Sequence, residues 1–302
     1  MRIPFVALLM TISAAIPTAR AAEPTPVKAI LVTGASTGIG RNVTEHLAAA
    51  GYFVYAGARK PADLEALGKI KNVQAIKLDV TKPEDISAAV DSVTKAGRGL
   101  YGLVNNAGIA SIGTATGTKF EEFDLMMQVN VYGPYRVTQA FAPLIIASKG
   151  RITTIGSISG ILAVPPLAAY SMSKHAMEAF GDSLAGEMEP LGVKVSLVEP
   201  GNYNTEIGKS AIERTGVTGR LTDRAKYKQP DEVAAAVTLA LFEENPKRRY
   251  MTTPNQDEAA FTLRKQIAQL VELNEGHAYT LDRDALVKML DEALATARPR
   301  KP

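Results

Sequence analysis

"LVTGASTGIG", residues 31–40, ends an apolar run and opens a stretch of helical character. A strand that stops on clustered glycines and gives way to a helix is the first unit of an alternating β/α chain. Gly34, Gly38 and Gly40 stand in a G-x-x-x-G-x-G spacing, with Ile39 between the last two. Glycines at such a turn let the main chain approach a pyrophosphate, whose charge is met by free N–H groups at the helix N-terminus. Taken alone the string is weak, since a tight turn needs glycine for its own reasons. The same letters hold a rival: Gly34-Ala35-Ser36-Thr37-Gly38 fits the G-x-S-x-G elbow of a serine hydrolase. A hydrolase needs an acid and then a histidine downstream, and the candidates are His175, beside a lysine on a helix, and His277, in a polar tail. The elbow is also expected several strands into the sheet, not after the first one. The dinucleotide reading is therefore preferred.

Outward from this turn, short apolar runs alternate with longer helical patterns. The runs are 28–34, 52–58, 73–80, 102–108, 151–157, 193–201 and 248–253. Near-continuous apolar character indicates burial on both faces, and helices between such strands imply right-handed crossovers. The spacing predicts an α/β fold: one doubly wound Rossmann-type domain over 24–302, with a mostly parallel sheet of about seven strands flanked by helices. "PEDISAAVDSVTKA" (83–96) starts a helix with proline and acids in its first turn, and 118–148 reads as a longer helix through Asn130. Residues 202–229 lack a clear period and read as a substrate-loop excursion over the sheet edge. A helical extension follows over 254–297.

Composition narrows the chemistry. The chain has 302 residues, 46% apolar and 22% charged, with a formal net charge of +3 spread along its length. Nothing there favours a nucleic-acid partner. Cysteine is absent, which removes disulfides and thiolate ligands, and three scattered histidines (His46, His175, His277) do not make a metal site. The first 22 residues have an early positive charge, an apolar stretch and Ala19-Arg20-Ala21, the pattern of an exported protein's signal peptide cleaved near Ala21 or Ala22. An uncleaved membrane tether and a cytoplasmic protein with an early start are the alternatives.

At the end of the second strand, Ala56-Gly57-Ala58 is followed by Arg59, with no acid at the tip. An acid there hydrogen-bonds the ribose 2′-hydroxyl of NAD, whereas an arginine accommodates the 2′-phosphate of NADP. NADP(H) is therefore expected, with NAD(H) second. Further on, Tyr170 precedes Lys174 by four residues on a helix, so the two share one face. Tyrosine is a poor base at neutral pH unless a neighbouring cation favours its phenolate.

Together these residues resemble the short-chain dehydrogenase/reductase family. The resemblance rests on Thr33 to Gly40 (TGxxxGIG), Asn105 to Gly108 (NNAG), Asn130 in "QVNVYG", and Ser157 in "TIGSISG". It continues through Tyr170 to Lys174 (YxxxK) and Pro200-Gly201 with Thr205. Six elements in order, each at the strand end or helix the fold requires, cover nearly everything after the leader. The pattern is most similar to the hydroxysteroid- and retinol-dehydrogenase branch. The resemblance implies hydride transfer between a nicotinamide and a secondary alcohol or carbonyl, with Tyr170 as acid/base, Ser157 donating to the substrate oxygen, and Lys174 holding the nicotinamide ribose. Asn130 would carry a water chain to Lys174, Asp79 would contact the adenine, Asn106 would support the cofactor, and Ser36 would help hold the 2′-phosphate. A homodimer or homotetramer follows from the same resemblance, with the helices around 118–148 and 171–190 pairing between subunits. The apolar floor "SISGILAVPPLAAY" suits an apolar substrate. A non-catalytic NADPH-binding sensor is the remaining alternative, although its usual mark, a broken YxxxK or a missing serine, is absent.

Overall fold

The computed structural model describes residues 27–216 and 226–296. The expected leader 1–22, the excursion residues 217–225 with Arg220, Asp223 and Arg224, and position 297 lie outside the described residues. The strands are β1 (Ala29–Val32), β2 (Phe53–Ala58), β3 (Val73–Lys77), β4 (Gly102–Asn105), β5 (Arg151–Ile155), β6 (Lys194–Pro200) and β7 (Arg249–Thr252). They form one parallel sheet in the order β3-β2-β1-β4-β5-β6-β7. Most strands are shorter than expected, because the C-terminal residues of most apolar runs leave the ladder and turn into loops; β2 alone ends where its run ends, at Ala58.

The helices are α1 (Gly38–Ala49), α2 (Pro61–Gly68), α3 (Pro83–Lys95), α4 (Phe120–Met127), α5 (Gly133–Ala147), α6 (Ala168–Met188), α7 (Ile207–Thr215), α8 (Asp231–Phe242), α9 (Gln256–Asn274) and α10 (Arg283–Thr296). Alternation along β1 splits its side chains between two cores. Leu31 joins Val93 of α3, Phe141 of α5 and Leu184 of α6 on one face. Ile30 and Val32 join Leu47 of α1, Leu67 of α2 and Val237 of α8 on the other. This covers both faces of the sheet, as its continuous apolar strands require. Order reverses between β1 and β4, so their C-terminal ends diverge and leave a crevice, the place where open α/β sheets bind ligands.

Two expectations need correction. The single helix over 118–148 is broken: α4 and α5 are separated by a π-helical turn, Gln128–Tyr132. The cause is Pro134, which has no N–H to offer the Asn130 carbonyl four residues back, while Gly133 N–H bonds Gln128 O instead. The excursion 202–229 is not without regular structure, since α7 lies within it. Its apolar side is only Ile207 and Ala211, one turn apart among polar residues, too short a pattern to register as a period.

α6 lies tight against β6 at Gly181, where an added Cβ would lie 2.5 Å from Leu197 Cδ1 and 2.8 Å from its Cγ. Five residues on, a Cβ at Gly186 would meet nothing within 4 Å. Gly181→Ala is expected to cost about 1–3 kcal/mol through overpacking. Gly186→Ala should be neutral or stabilising by up to about 1 kcal/mol. Urea denaturation midpoints of the two variants check the contrast.

Candidate active site

The crevice is a cleft of about 490 Å³ over the C-terminal ends of the strands. Gly34, Ser36, Gly38, Ile39 and Gly40 line it from the β1–α1 turn, Arg59 from the end of β2, Asp79 from the loop after β3, and Asn106 from that after β4. Ser157, Tyr170 and Lys174 line it from β5 and α6, and Pro200, Gly201 and Thr205 from the loop after β6. Of the residues given a catalytic or cofactor role in the sequence analysis, Asn130 alone stands behind the wall among the described residues.

The glycine turn is made by contact between strands. Gly34 (φ +65°) and Gly38 (φ +55°) take the left-handed conformation that glycine tolerates. A Cβ on Gly40 would sit 2.3 Å from both Asn106 Nδ2 and Gly34 O. Asn106 Nδ2 donates to Thr33 O (2.8 Å) and Gly34 O (3.0 Å), and Thr33 Oγ1 accepts from the N–H groups of Asn106 and Ala107, each at 3.0 Å. Asn106 therefore acts on the turn that shapes the cleft. Thr37, at the α1 N-cap position, makes no side-chain cap, so the first N–H groups of α1 remain available to an anion. Asp79 Oδ1 accepts from Thr81 N–H (3.0 Å) and Thr81 Oγ1 (2.8 Å), while its Oδ2 lies 4.0 Å from Arg59 Nη1. The strand-end cap is thus formed by one oxygen, and the other faces the exposed guanidinium.

On α6, Lys174 is buried and its Nζ donates to Ile155 O at the end of β5 (2.9 Å), 5.8 Å from the centre of the Tyr170 ring. The two side chains converge as the i, i+4 spacing requires. Ser157 is buried and caps a 3₁₀ turn (Ile158–Gly160), its Oγ accepting from Ser159 N–H at 3.0 Å. Ser159 thus enters through its backbone. Asn130 Oδ1 accepts from Ile109 N–H (2.8 Å), and Nδ2 donates to Ile109 O (2.9 Å) and Ser173 Oγ (3.0 Å). Its side chain thereby clamps the loop after β4 to α6. His175 Nδ1 lies 2.8 Å from Ser171 O, and His277 Nδ1 accepts from Tyr279 N–H (3.1 Å). Neither histidine is bonded to Ser36, which gives the hydrolase reading no triad.

Residues 28–216, more than half of the chain, match the profile of the family described as short chain dehydrogenase. The chain belongs to this family. D-beta-hydroxybutyrate dehydrogenase, mitochondrial, of Rattus norvegicus is 39% identical over 186 residues, covering 58% of this chain and 54% of that protein. The chain thus spans about half the length of the curated relatives that match it at this level. Among solved structures, a short-chain dehydrogenase from Streptomyces avermitilis has a TM-score of 0.72 at 32% identity, covering 82% of this chain and 95% of that one. An alcohol dehydrogenase from the archaeon Thermococcus sibiricus, complexed with 5-hydroxy-NADP, has a TM-score of 0.66 at 27% identity, covering 75% and 96%. The turn that only glycine fits, the uncapped start of α1 and the cation at β2 suit this short-chain dehydrogenase to a nicotinamide dinucleotide.

Some lining residues escaped the sequence reading. Arg214 of α7 donates to Ala110 O and to Ser210 O (3.0 Å), with Nε 3.5 Å from Glu122 Oε1, tying the excursion to the loop after β4 and to α4. Glu258 of α9 accepts from Asn202 N–H (2.9 Å), and Phe261 lies one turn further along the same wall. Only the i, i+3 placement of Glu258 and Phe261 could have marked them, and many surface helices share it. Asn106→Ala would strand the Thr33 and Gly34 carbonyls, so a stability loss of about 1–3 kcal/mol is expected. Nucleotide binding should weaken by roughly tenfold, and fluorescence titration with urea melts checks both.

Proposed function

We propose that the chain is an NADP(H)-dependent oxidoreductase that interconverts a secondary alcohol and its ketone, or a primary alcohol and its aldehyde. One observation supports this above others: Ser157, Tyr170 and Lys174 converge in the cleft that also holds the glycine turn. When bound, the nicotinamide exchanges a hydride with the carbinol carbon. The chain's own part is to hold the substrate oxygen and move its proton. Ser157 uses its oxygen lone pair in the cap, which leaves the O–H to donate to the substrate oxygen. The Tyr170 phenol gives or takes the proton at that oxygen, and the buried Lys174 ammonium stabilises the phenolate that forms. Lys174 is held for this by Ile155 O, with a further N–H left for a ribose hydroxyl. Asn130, which ties the loop after β4 to α6, serves the water chain toward Lys174.

Arg59 carries the preference for NADP. It sits at the β2 tip where an NAD enzyme places an acid, and its side chain is 63% exposed, free to swing onto a 2′-phosphate alongside Ser36. Asp79 meets the adenine side, and Ile39, Pro200, Gly201 and Thr205 complete the binding walls. The Thermococcus relative is named in complex with 5-hydroxy-NADP, which supports this reading. The substrate end is apolar: Ala110, Ile112 and Ala211 form a small core against which Tyr170 and Ile207 pack, and Leu162, Val164 and Leu167 complete the floor. This suits an apolar alcohol or carbonyl. Phe120, Leu125, Tyr132 and Tyr135 lie exposed from α4 to α5, and Met172 on α6, a face that fits a homodimer or homotetramer. Light scattering reads the oligomer.

Tyr170→Phe is expected to lower kcat at least about a thousandfold while NADPH binding stays within about threefold. Turnover above that level would remove Tyr170 from the proton path. A binding protein without activity would instead leave wild type itself silent when ketones and alcohols are screened by nicotinamide absorbance. Arg59→Asp should shift the NADP:NAD ratio of kcat/KM toward NAD by roughly tenfold or more, and an unchanged ratio would end the cofactor argument.

A further inference from the structure

Behind the loop that carries Ser157 lies a cluster of acids with no part in the proposed reaction. Glu199, the penultimate residue of β6, is 2% exposed. Glu178 and Asp182 project from α6 beside it, and Arg249 of β7 binds all three. The Arg249 contacts are Nε to Glu178 Oε2 at 3.1 Å, Nε to Glu199 Oε1 at 3.3 Å, and Nη2 to Asp182 Oδ2 at 2.8 Å. Were all three carboxyls ionised, one guanidinium would leave an excess of two negative charges, with Glu178 and Glu199 largely buried. Glu178 and Glu199 flank the same Arg249 Nε, and Oε1 of each is buried with no conventional hydrogen-bond partner.

The loop wraps this pair. A Cβ on Gly156 would lie 3.2 Å from Glu178 Oε1 and 3.6 Å from Glu199 Cγ, and one on Gly160 would lie 3.0 Å from the same Glu178 oxygen. Ser157 sits between these glycines, so Glu178 fills the space beneath it. Glu178 Oε1 is buried without a conventional hydrogen-bond partner. A proton on the neighbouring carboxyl would supply one.

We propose that Glu178 and Glu199 share one proton and together prop the Gly156–Gly160 loop, which makes them positioning residues for Ser157 and makes the order of the loop depend on that proton. The role of Ser157 rests on the function proposed above; the coupling of proton to loop does not. Burial, and after it the charge of Glu178, pushes the Glu199 carboxyl up to about 8, against the pull of Arg249. Around the pair, Arg248 acts on Asp182, β5 carries only Arg151 at its far end, and α8 brings Glu232, held by Tyr203. Glu258 of α9 faces Asn202 further along the chain. Because the carboxyl is raised in the fold, the stability tied to its proton is complete below the ordinary carboxylate range and is lost as pH rises through about 8. The proton leaves to solvent, and two adjacent carboxylates then repel beneath the loop.

Hydrogen exchange read by mass spectrometry over residues 156–160, at pH 7 and pH 9 and corrected for the intrinsic rate, tests this. Wild type should lose protection on the order of tenfold between the two, whereas Glu199→Gln, a neutral isostere of the protonated acid, should show no such change. If Glu199→Gln fails to fold by circular dichroism, Glu178→Gln serves, since it also removes the facing charges. Equal protection of wild type at both pH values, or a variant that loses as much as wild type, would overturn the proposal. Tyr170→Phe separates the two readings. It should keep the wild-type exchange response whatever its turnover, so a failed reaction appears in turnover and a failed proton pair in exchange.

Discussion

The approach of the β1–α1 turn to the loop after β4 is the constraint on which the other features depend. Gly40 has no room for even a methyl group between Gly34 O and the Asn106 amide, and that amide holds the carbonyls of Thr33 and Gly34 in place. Two strands adjacent in the sheet but far apart in sequence are thereby locked at the point where strand order reverses. The lock sets the start of α1, and with it the direction in which free N–H groups face the cleft. Exchanging glycine for any other residue here acts on the shape of the cleft before it acts on any ligand.

The fold was legible because its signals are local and repeated. Continuous apolar runs, glycine at strand ends and acids in first helical turns each report a segment's state without knowledge of the rest. The lining of the cleft was legible for a different reason: the i, i+4 rule places Tyr170 above Lys174 on any helix, and strand ends in a parallel sheet all open to one side. What stayed hidden depends on partners distant in sequence. Arg214 is unremarkable among the charges of the excursion until α7 brings it to Ala110 and Glu122. Glu258 reads as an ordinary first-turn acid until it meets Asn202. The broken helix at Asn130 is intermediate: Pro134 is plain in the sequence, but its effect falls four residues back, at a position the apolar period runs straight through.

Asn106 and Asn130 show how site and scaffold share residues. Each lies beside the cleft, and each commits its amide to main-chain groups: Asn106 to the glycine turn, Asn130 to both polar groups of Ile109. An asparagine suits such a place because its one acceptor and two donors can hold a strand and a loop together where no regular ladder exists. Both hold main chain in place beside the cleft, a task that needs no charge.

α6 carries that division along a single face. Tyr170, Lys174, Glu178 and Asp182 follow one another at four-residue intervals, so all four rise along the same side of the helix. Lys174 and Glu178 are opposite in charge and one turn apart, the arrangement that ordinarily makes an ion pair. Here each turns away: Lys174 donates to Ile155 O, and Glu178 pairs with Arg249. Were they to pair, the ammonium would be neutralised by a carboxylate and would do less for a phenolate at Tyr170. The Gly156–Gly160 loop runs against Glu178 and keeps the acids on the β7 side, with Arg249 as their counter-charge. Separation of the two ends of one helix face leaves a cation under the phenol and confines the excess negative charge to the far side of the loop.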